Sequence, residues 1–312
     1  MKTKFLIRFL VLIIMAAIVA GCIFAYNTLT KEPPKTEEIN IDVILFKKSN
    51  YPKVDASTAT QPLATAFASE FTGDEFTSSD FDYTTTHPAY LKLIAGEVDL
   101  IIVTEPSEEE LVLARDAGIE LEVIPVSKEA FVFYVNENNP VDSLTFEEVQ
   151  KIYSGEITNW KEVGGNDAKI RALQRPLNSG SQTGLLSLVM NGKKLVKPET
   201  EDIAESMSDI LNIVSSYDNG IDSIGYSYYY YANTIYDTTD SGVSNAVKLL
   251  AINGVKPTNK TIQNETYPIG TAYYIVINKS EPDNGNVRKL IEAMLSERGQ
   301  KVVEETGYVR VK

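Results

Sequence analysis

Short runs of β-branched and aromatic residues alternate along the chain with stretches whose apolar positions recur every three to four residues, the pattern of an α/β fold. Strands are predicted over Ile41–Phe46, Val98–Val103, Leu121–Pro125, Phe131–Val135 and Ala272–Ile277. Helices are predicted over about Thr60–Phe71, Glu108–Ala117, Phe146–Tyr153 and Glu201–Val214, with a longer one following Ser179. One or two amphipathic helices are predicted over Val287–Glu305. In the first helix Leu63, Phe67 and Phe71 recur at intervals of four and make one apolar face. Ser107 and Glu110 form the S-x-x-E signature of a capping box ahead of Leu111 and Leu113. The run from Tyr226 to Tyr231 carries five tyrosines. It offers either a ring-stacking surface or ordinary packing with hydroxyls reaching water. There is no internal repeat and no low-complexity block.

The N-terminus breaks this alternation. Lys2, Lys4 and Arg8 precede an unbroken apolar run from Phe9 to Tyr26, which reads as a secretory signal. Within it Val19-Ala20-Gly21-Cys22 resembles a bacterial lipobox, in which the cysteine is acylated and becomes the new amino terminus. Cys22 is the only cysteine, so no internal disulfide can form and lipidation accounts for the unpaired thiol. The other reading is an uncleaved membrane anchor, since about 18 apolar residues approach the length that spans a bilayer. Residues 1–26 are thus leader or anchor, and the body of the protein is expected outside the cytoplasmic membrane, tethered to it. Residues 27–38, polar and carrying Pro33-Pro34, read as a flexible tether.

At 312 residues the chain can build two lobes, each with its own core, and a hydrophobic fraction of 43% suits a globular protein. The formal net charge is −14, and losing Lys2, Lys4 and Arg8 with the leader takes it to −17. That balance excludes a nucleic-acid footprint. It also means that any anion site must be assembled from local, directed donors, because the overall field repels anions.

Three turns share one design, a small hydroxyl-rich segment running into a helix. They are Asp55-Ala56-Ser57-Thr58-Ala59-Thr60-Gln61-Pro62, Thr84-Thr85-Thr86-His87-Pro88, and Arg175-Pro176-Leu177-Asn178-Ser179-Gly180-Ser181-Gln182-Thr183. A helix start leaves backbone N–H groups unpaired at the positive end of the dipole. Ser and Thr add hydroxyls, Gly180 permits close backbone approach, and Arg175 supplies a fork for two oxygens. Several such ends meeting at one point would grip a desolvated anion. Taken singly, each turn is an ordinary N-cap, and meeting cannot be read from one dimension. His87 is the only histidine, no metal-ligand cluster is visible, and no serine has the base partner that nucleophilic catalysis requires.

The segments DASTATQPLATAFASEF from Asp55, LIAGEVDLIIVTEPS from Leu93 and NPVDSLTFEEVQKIYSGEITNWKEVGGNDAKIRALQRPLNSGSQT from Asn139 to Thr183 go further. So do SIGYSYYYYA from Ser223, YPIGTAYYIVIN from Tyr267 and SERGQKVVEETGYV from Ser296. In this order, over about four fifths of the chain, they resemble the phosphate-binding component of bacterial phosphate ABC transporters, within the periplasmic-binding-protein superfamily. The resemblance implies a two-lobed Venus-flytrap fold with a mixed sheet in each lobe, the first lobe over 39–126 plus 271–312 and the second over 127–270. It implies an oxyanion, phosphate foremost, held by Thr58, Ala59, Thr60, Thr86, Thr104, Arg175, Ser179, Gly180 and Ser181. It implies delivery to an ABC transporter permease, a monomer, no cofactor, no metal and no catalysis.

Two positions depart from the family's pattern. The second turn has Thr86-His87-Pro88-Ala89 where many members are glycine-rich. Where some members place an aspartate that accepts the ligand's proton, this chain has Thr104 followed by Glu105. Glu105 either serves as that acceptor or only contributes to the start of the next helix. The alternatives to phosphate transport are a same-fold protein for another oxyanion or a sensor, an exported phosphatase, and a structural surface protein.

Overall fold

The computed structural model describes residues 44–216, 220–238 and 246–311. The leader, Cys22 and the tether lie outside the described residues. Residues 44–312 form one compact unit.

The chain enters through β1 (Val54–Ala56), α1 (Gln61–Thr72), α2 (Thr86–Ile94), β2 (Leu100–Val103) and α3 (Glu108–Asp116). The predicted face of α1 packs inward, with Leu63, Phe67 and Phe71 fully buried. The helix stops at Gly73, whose φ of 72° lies in the left-handed region and whose N–H bonds back to Ser69 O. The Ser107–Glu110 capping box is formed in both directions. Ile44–Phe46, expected to belong to a strand, forms none, although Leu45 N and Phe46 N both donate to Phe71 O.

The two strands expected over Leu121–Pro125 and Phe131–Val135 are one, β3 (Leu121–Asn136). The chain continues through β4 (Ser143–Leu144), α4 (Phe146–Ser154), β5 (Arg171–Ala172), α5 (Gly180–Gly184), α6 (Met207–Ser215), β6 (Ser223–Tyr228) and α7 (Tyr229–Thr238). It closes with β7 (Val247–Leu249), β8 (Ala251–Ile252), α8 (Asn259–Gln263), β9 (Gly270–Asn278), α9 (Asn286–Leu295) and α10 (Glu297–Glu305).

β3 organises the molecule because it changes partner midway. Leu121 to Ala130 pairs antiparallel with β9, with a bulge between Pro125 and Ser127, and β9 continues through β2 to β1. From Phe131 to Val135 the same strand pairs with β6, which carries β5, while Tyr134–Asn136 also pairs with β7. Each half is therefore a mixed α/β layer, β1∥β2 on one side and β5∥β6 on the other. Phe131–Val135 is buried throughout, as expected for a strand covered on both faces.

Two predicted helices are remodelled. The segment after Ser179 makes only a short α turn before relaxing into a π-helix over Leu185–Met190. The helix expected over Glu201–Val214 is interrupted. Gln174 N donates to Asp202 O and Ala204 N to Gln174 O, which draws Ile203–Glu205 out in extended form. The helix then restarts under a Ser206–Asp209 capping box.

Candidate functional site

The three hydroxyl-rich turns meet. Ser57, Thr58 and Ala59 follow β1, Thr85, Thr86 and His87 open α2, and Thr104 follows β2. Facing them are Arg175 to Ser181 after β5, the segment Glu205–Ser208 before and into α6, and Tyr228 and Tyr231. Together they line a cavity of about 370 Å³, within the range of small-molecule sites.

The approach is closest at Gly180. A Cβ built there would lie 2.6 Å from both Thr104 Oγ1 and Thr86 Oγ1, nearer than any side chain tolerates. Glycine thus lets the backbone after β5 come directly against two hydroxyls, one at the start of α2 and one directly after β2. Thr104 Oγ1 is buried and has no hydrogen-bond partner among the described residues. A buried hydroxyl left unpaired is costly unless something occupies the space it faces.

The first two turns are braced against each other by a buried carboxylate. Asp55 accepts hydrogen bonds from Thr84 N (2.8 Å), Thr84 Oγ1 (2.7 Å) and Ala56 N (2.7 Å), with Lys92 Nζ 3.5 Å away. A second one holds the start of α2, where His87 Nδ1 lies 2.9 Å from buried Glu110 Oε1. The lone histidine thus lines the cavity while bonded to an acid that also caps α3.

Arg175 is held in place from below and reaches the cavity. Gln182 Oε1 accepts from Arg175 N (2.9 Å) and from Tyr226 Oη. The guanidinium donates from Nη1 to Ser181 Oγ (3.2 Å) and from Nη2 to Glu205 O (3.0 Å), while Nε is buried and unpaired among the described residues. Burial pulls its pKa below the ordinary arginine value. It remains a cation, since guanidinium does not deprotonate in proteins.

Eight of the nine residues expected to hold the anion line the cavity: Thr58, Ala59, Thr86, Thr104, Arg175, Ser179, Gly180 and Ser181. Thr60 does not. It is fully buried, and its hydroxyl turns into the fold, bonding to Ile102 O, to Ser57 O (3.1 Å) and to Ser57 Oγ (3.0 Å). Its N–H also goes to Ser57 O at 2.8 Å, so Thr60 closes the turn and presents nothing outward. Ser57, in the same turn, lines the cavity instead.

Glu105 is not a lining residue. Its carboxylate accepts from Ser187 Oγ. Glu205–Ser208 was missed because a continuous helix was expected there, although Ser206-x-x-Asp209 is itself a readable capping signal. The tyrosines of the 226–231 run pack within the fold, Tyr230 stacking on Tyr308, and Tyr228 and Tyr231 also line the cavity, but Tyr226 and Tyr228 do not send their hydroxyls to water. Tyr226 bonds Gln182, and Tyr228 Oη donates to Gly180 O at 3.0 Å. Among the described residues no group of three His, Cys, Asp or Glu side chains could hold a metal ion, and no helix is long and apolar enough to cross a membrane.

Comparison with known proteins adds a family. A model described as a PBP superfamily domain matches residues 48–298. The phosphate-binding protein PstS of Staphylococcus aureus strain USA300 is 31% identical over 233 residues, covering 72% of this chain and 67% of the relative. The phosphate-binding protein PstS of Borreliella burgdorferi is 30% identical over 191 residues, 59% of this chain. There the match spans 64% of the relative's length, a little under two thirds. A substrate-binding protein from Clostridium perfringens, solved with phosphate bound, superposes with a TM-score of 0.63 at 24% identity. The superposition covers 84% of this chain and all of that one, a likeness of fold.

Proposed function

The chain belongs to the PBP superfamily, and from that premise we propose that it captures a small oxyanion, phosphate first, between two lobes and hands it to an ABC transporter. One observation carries the reading. Gly180 of one half lies directly against the hydroxyls of Thr86 and Thr104 of the other, beside Arg175, in a single cavity. A tetrahedral oxyanion seated there would meet hydroxyl and N–H donors from several chain segments and one fixed guanidinium. Hydrogen bonds to a charged group contribute roughly 1.5–3 kcal/mol each, so a handful sustains tight binding in a protein of negative charge. The relatives named for phosphate binding support the same ligand.

The lobes are proposed to divide near the switch of β3 from β9 to β6, the first comprising 39–126 plus 271–312 and the second 127–270. We assign the protein to the outer face of the cell membrane, held by lipidation of Cys22 or by an uncleaved N-terminal helix, and acting as a monomer. It binds without turnover, a reading supported by the lining hydroxyls, none of which is hydrogen-bonded to a histidine or carboxylate side chain among the described residues.

Calorimetric titration of the mature protein with phosphate, sulfate and other oxyanions tests this. Saturable 1:1 heat with phosphate is expected, and the absence of heat with every oxyanion refutes it. Thr104 favours one second reading. With a neutral hydroxyl at this position and Glu105 turned to Ser187, the carboxylate residue left among the described lining residues is Glu205, on the segment facing Thr104. A fully ionised oxyanion such as sulfate that competed on equal terms would shift the assignment to a broader anion binder.

A further inference from the structure

Two hydrogen bonds join the halves beside the cavity, one of them from Asn178 of its lining. Asn178 Nδ2 donates to Glu109 Oε2 at 2.5 Å, and Ser187 Oγ, which also lies 3.0 Å from Thr183 O, donates to Glu105 Oε1. Both acceptors sit on the segment that leaves β2 for α3, and both donors on the segment that follows β5. The two strands belong to different halves of the fold. Asn178 adopts φ 66°, the left-handed region that asparagine tolerates better than most residues. Glu108, exposed between the two acceptors, makes no such bond among the described residues.

We propose that Glu105 and Glu109 form a closure latch, accepting hydrogen bonds from Ser187 and Asn178 only when the halves are together and so setting how long a bound oxyanion stays. This rests on the reading that the cavity takes an oxyanion. An interaction made only in the closed state shifts the equilibrium toward closure, whether or not it touches the ligand. Charge alone predicts the opposite sign. Carboxylates at the mouth repel an anion, so removing them should strengthen retention if they did nothing else. The two effects are therefore separable by direction.

The test is stopped-flow dissociation of phosphate from the mature protein and three variants. The double variant Glu105→Ala/Glu109→Ala removes the acceptors. The double variant Ser187→Ala/Asn178→Gly removes the donors, keeps every charge and preserves the left-handed backbone. Glu108→Ala removes one neighbouring charge and no latch. Both double variants are expected to release phosphate about tenfold faster, the loss of two partly exposed charge-assisted bonds. Glu108→Ala should release it no faster than the unaltered protein. If either double variant folds, by its thermal melt, and releases phosphate at the original rate or more slowly, the latch is refuted while oxyanion binding stands. If the unaltered protein binds no oxyanion, the function proposed above falls and the latch falls with it, having nothing to retain.

Discussion

Gly180, Arg175 and Glu129 each do something that residue type alone suggests and surroundings decide. Gly180 must lack a side chain because two threonine hydroxyls stand where its Cβ would be. Gly180→Ala should therefore push the halves apart and weaken phosphate binding at least about tenfold, while a clash confined to the contact between the halves leaves each half folded. Calorimetry beside a thermal melt checks both parts. Arg175→Met, which keeps bulk and removes the fork, should cost about 1.5–3 kcal/mol of binding, a factor of roughly 10 to 150.

Glu129 has no part in the cage. It is buried on β3, one residue before the partner switch, accepting from Ala130 N (2.8 Å) and from Tyr230 N at the start of α7 (3.2 Å). The groups facing it are Tyr228, Tyr229, Tyr230, Tyr273 and Tyr308, none of them a cation. Burial raises its pKa from 4.5 to about 7. The folded protein then holds this proton more tightly than the unfolded chain. Stability contributed by the proton is present at low pH and is lost as pH rises from about 4.5 to about 7, staying flat above. The loss is on the order of 3 kcal/mol. Denaturant melts at pH 5 and pH 8 should show this slope in the unaltered protein and not in Glu129→Gln; equal slopes would disprove it.

At the scale of elements, the turns were legible and their bracing was not. Threonines and serines ahead of Pro62 and Pro88 announce helix starts, and both helices form within a residue or two of expectation. Nothing in DASTATQP says that Asp55 reaches across to Thr84, 29 residues on, because that bond depends on β1 and the start of α2 being brought together. Asp55→Ala should leave Thr84 N and Thr84 Oγ1 without their partner, costing about 1–3 kcal/mol of stability. It should also weaken phosphate binding, although Asp55 does not line the cavity. Urea unfolding and calorimetry on the same preparation test the pair of effects, and unchanged affinity would disconnect the brace from the site. The same limit explains the helix wrongly extended through Ala204. Local propensity allows it, but pairing with Gln174 draws that stretch straight.

For the whole molecule, the decisive element is β3, which belongs to both halves and makes one of the passages between them. A hinge of this kind permits rigid movement of two layers around a ligand. Saturating phosphate should thus lower the radius of gyration seen by small-angle X-ray scattering, and Arg175→Met should need roughly 10 to 150 times more phosphate for the same decrease. A scattering curve indifferent to phosphate in the unaltered protein would argue for a fixed cleft. The alternation of strands and helices, the donor chemistry of the three turns and a charge that denies any long-range attraction to anions were all determined by the sequence alone. Each is written within a few neighbouring residues or in composition. The meeting of those turns, the inward turn of Thr60, the recruitment of Glu205–Ser208 and the contact of Gly180 with Thr86 and Thr104 were decided only by the tertiary structure. They are distances between segments up to about 150 residues apart, set by which strands pair and which faces pack, and no local pattern of side chains encodes them.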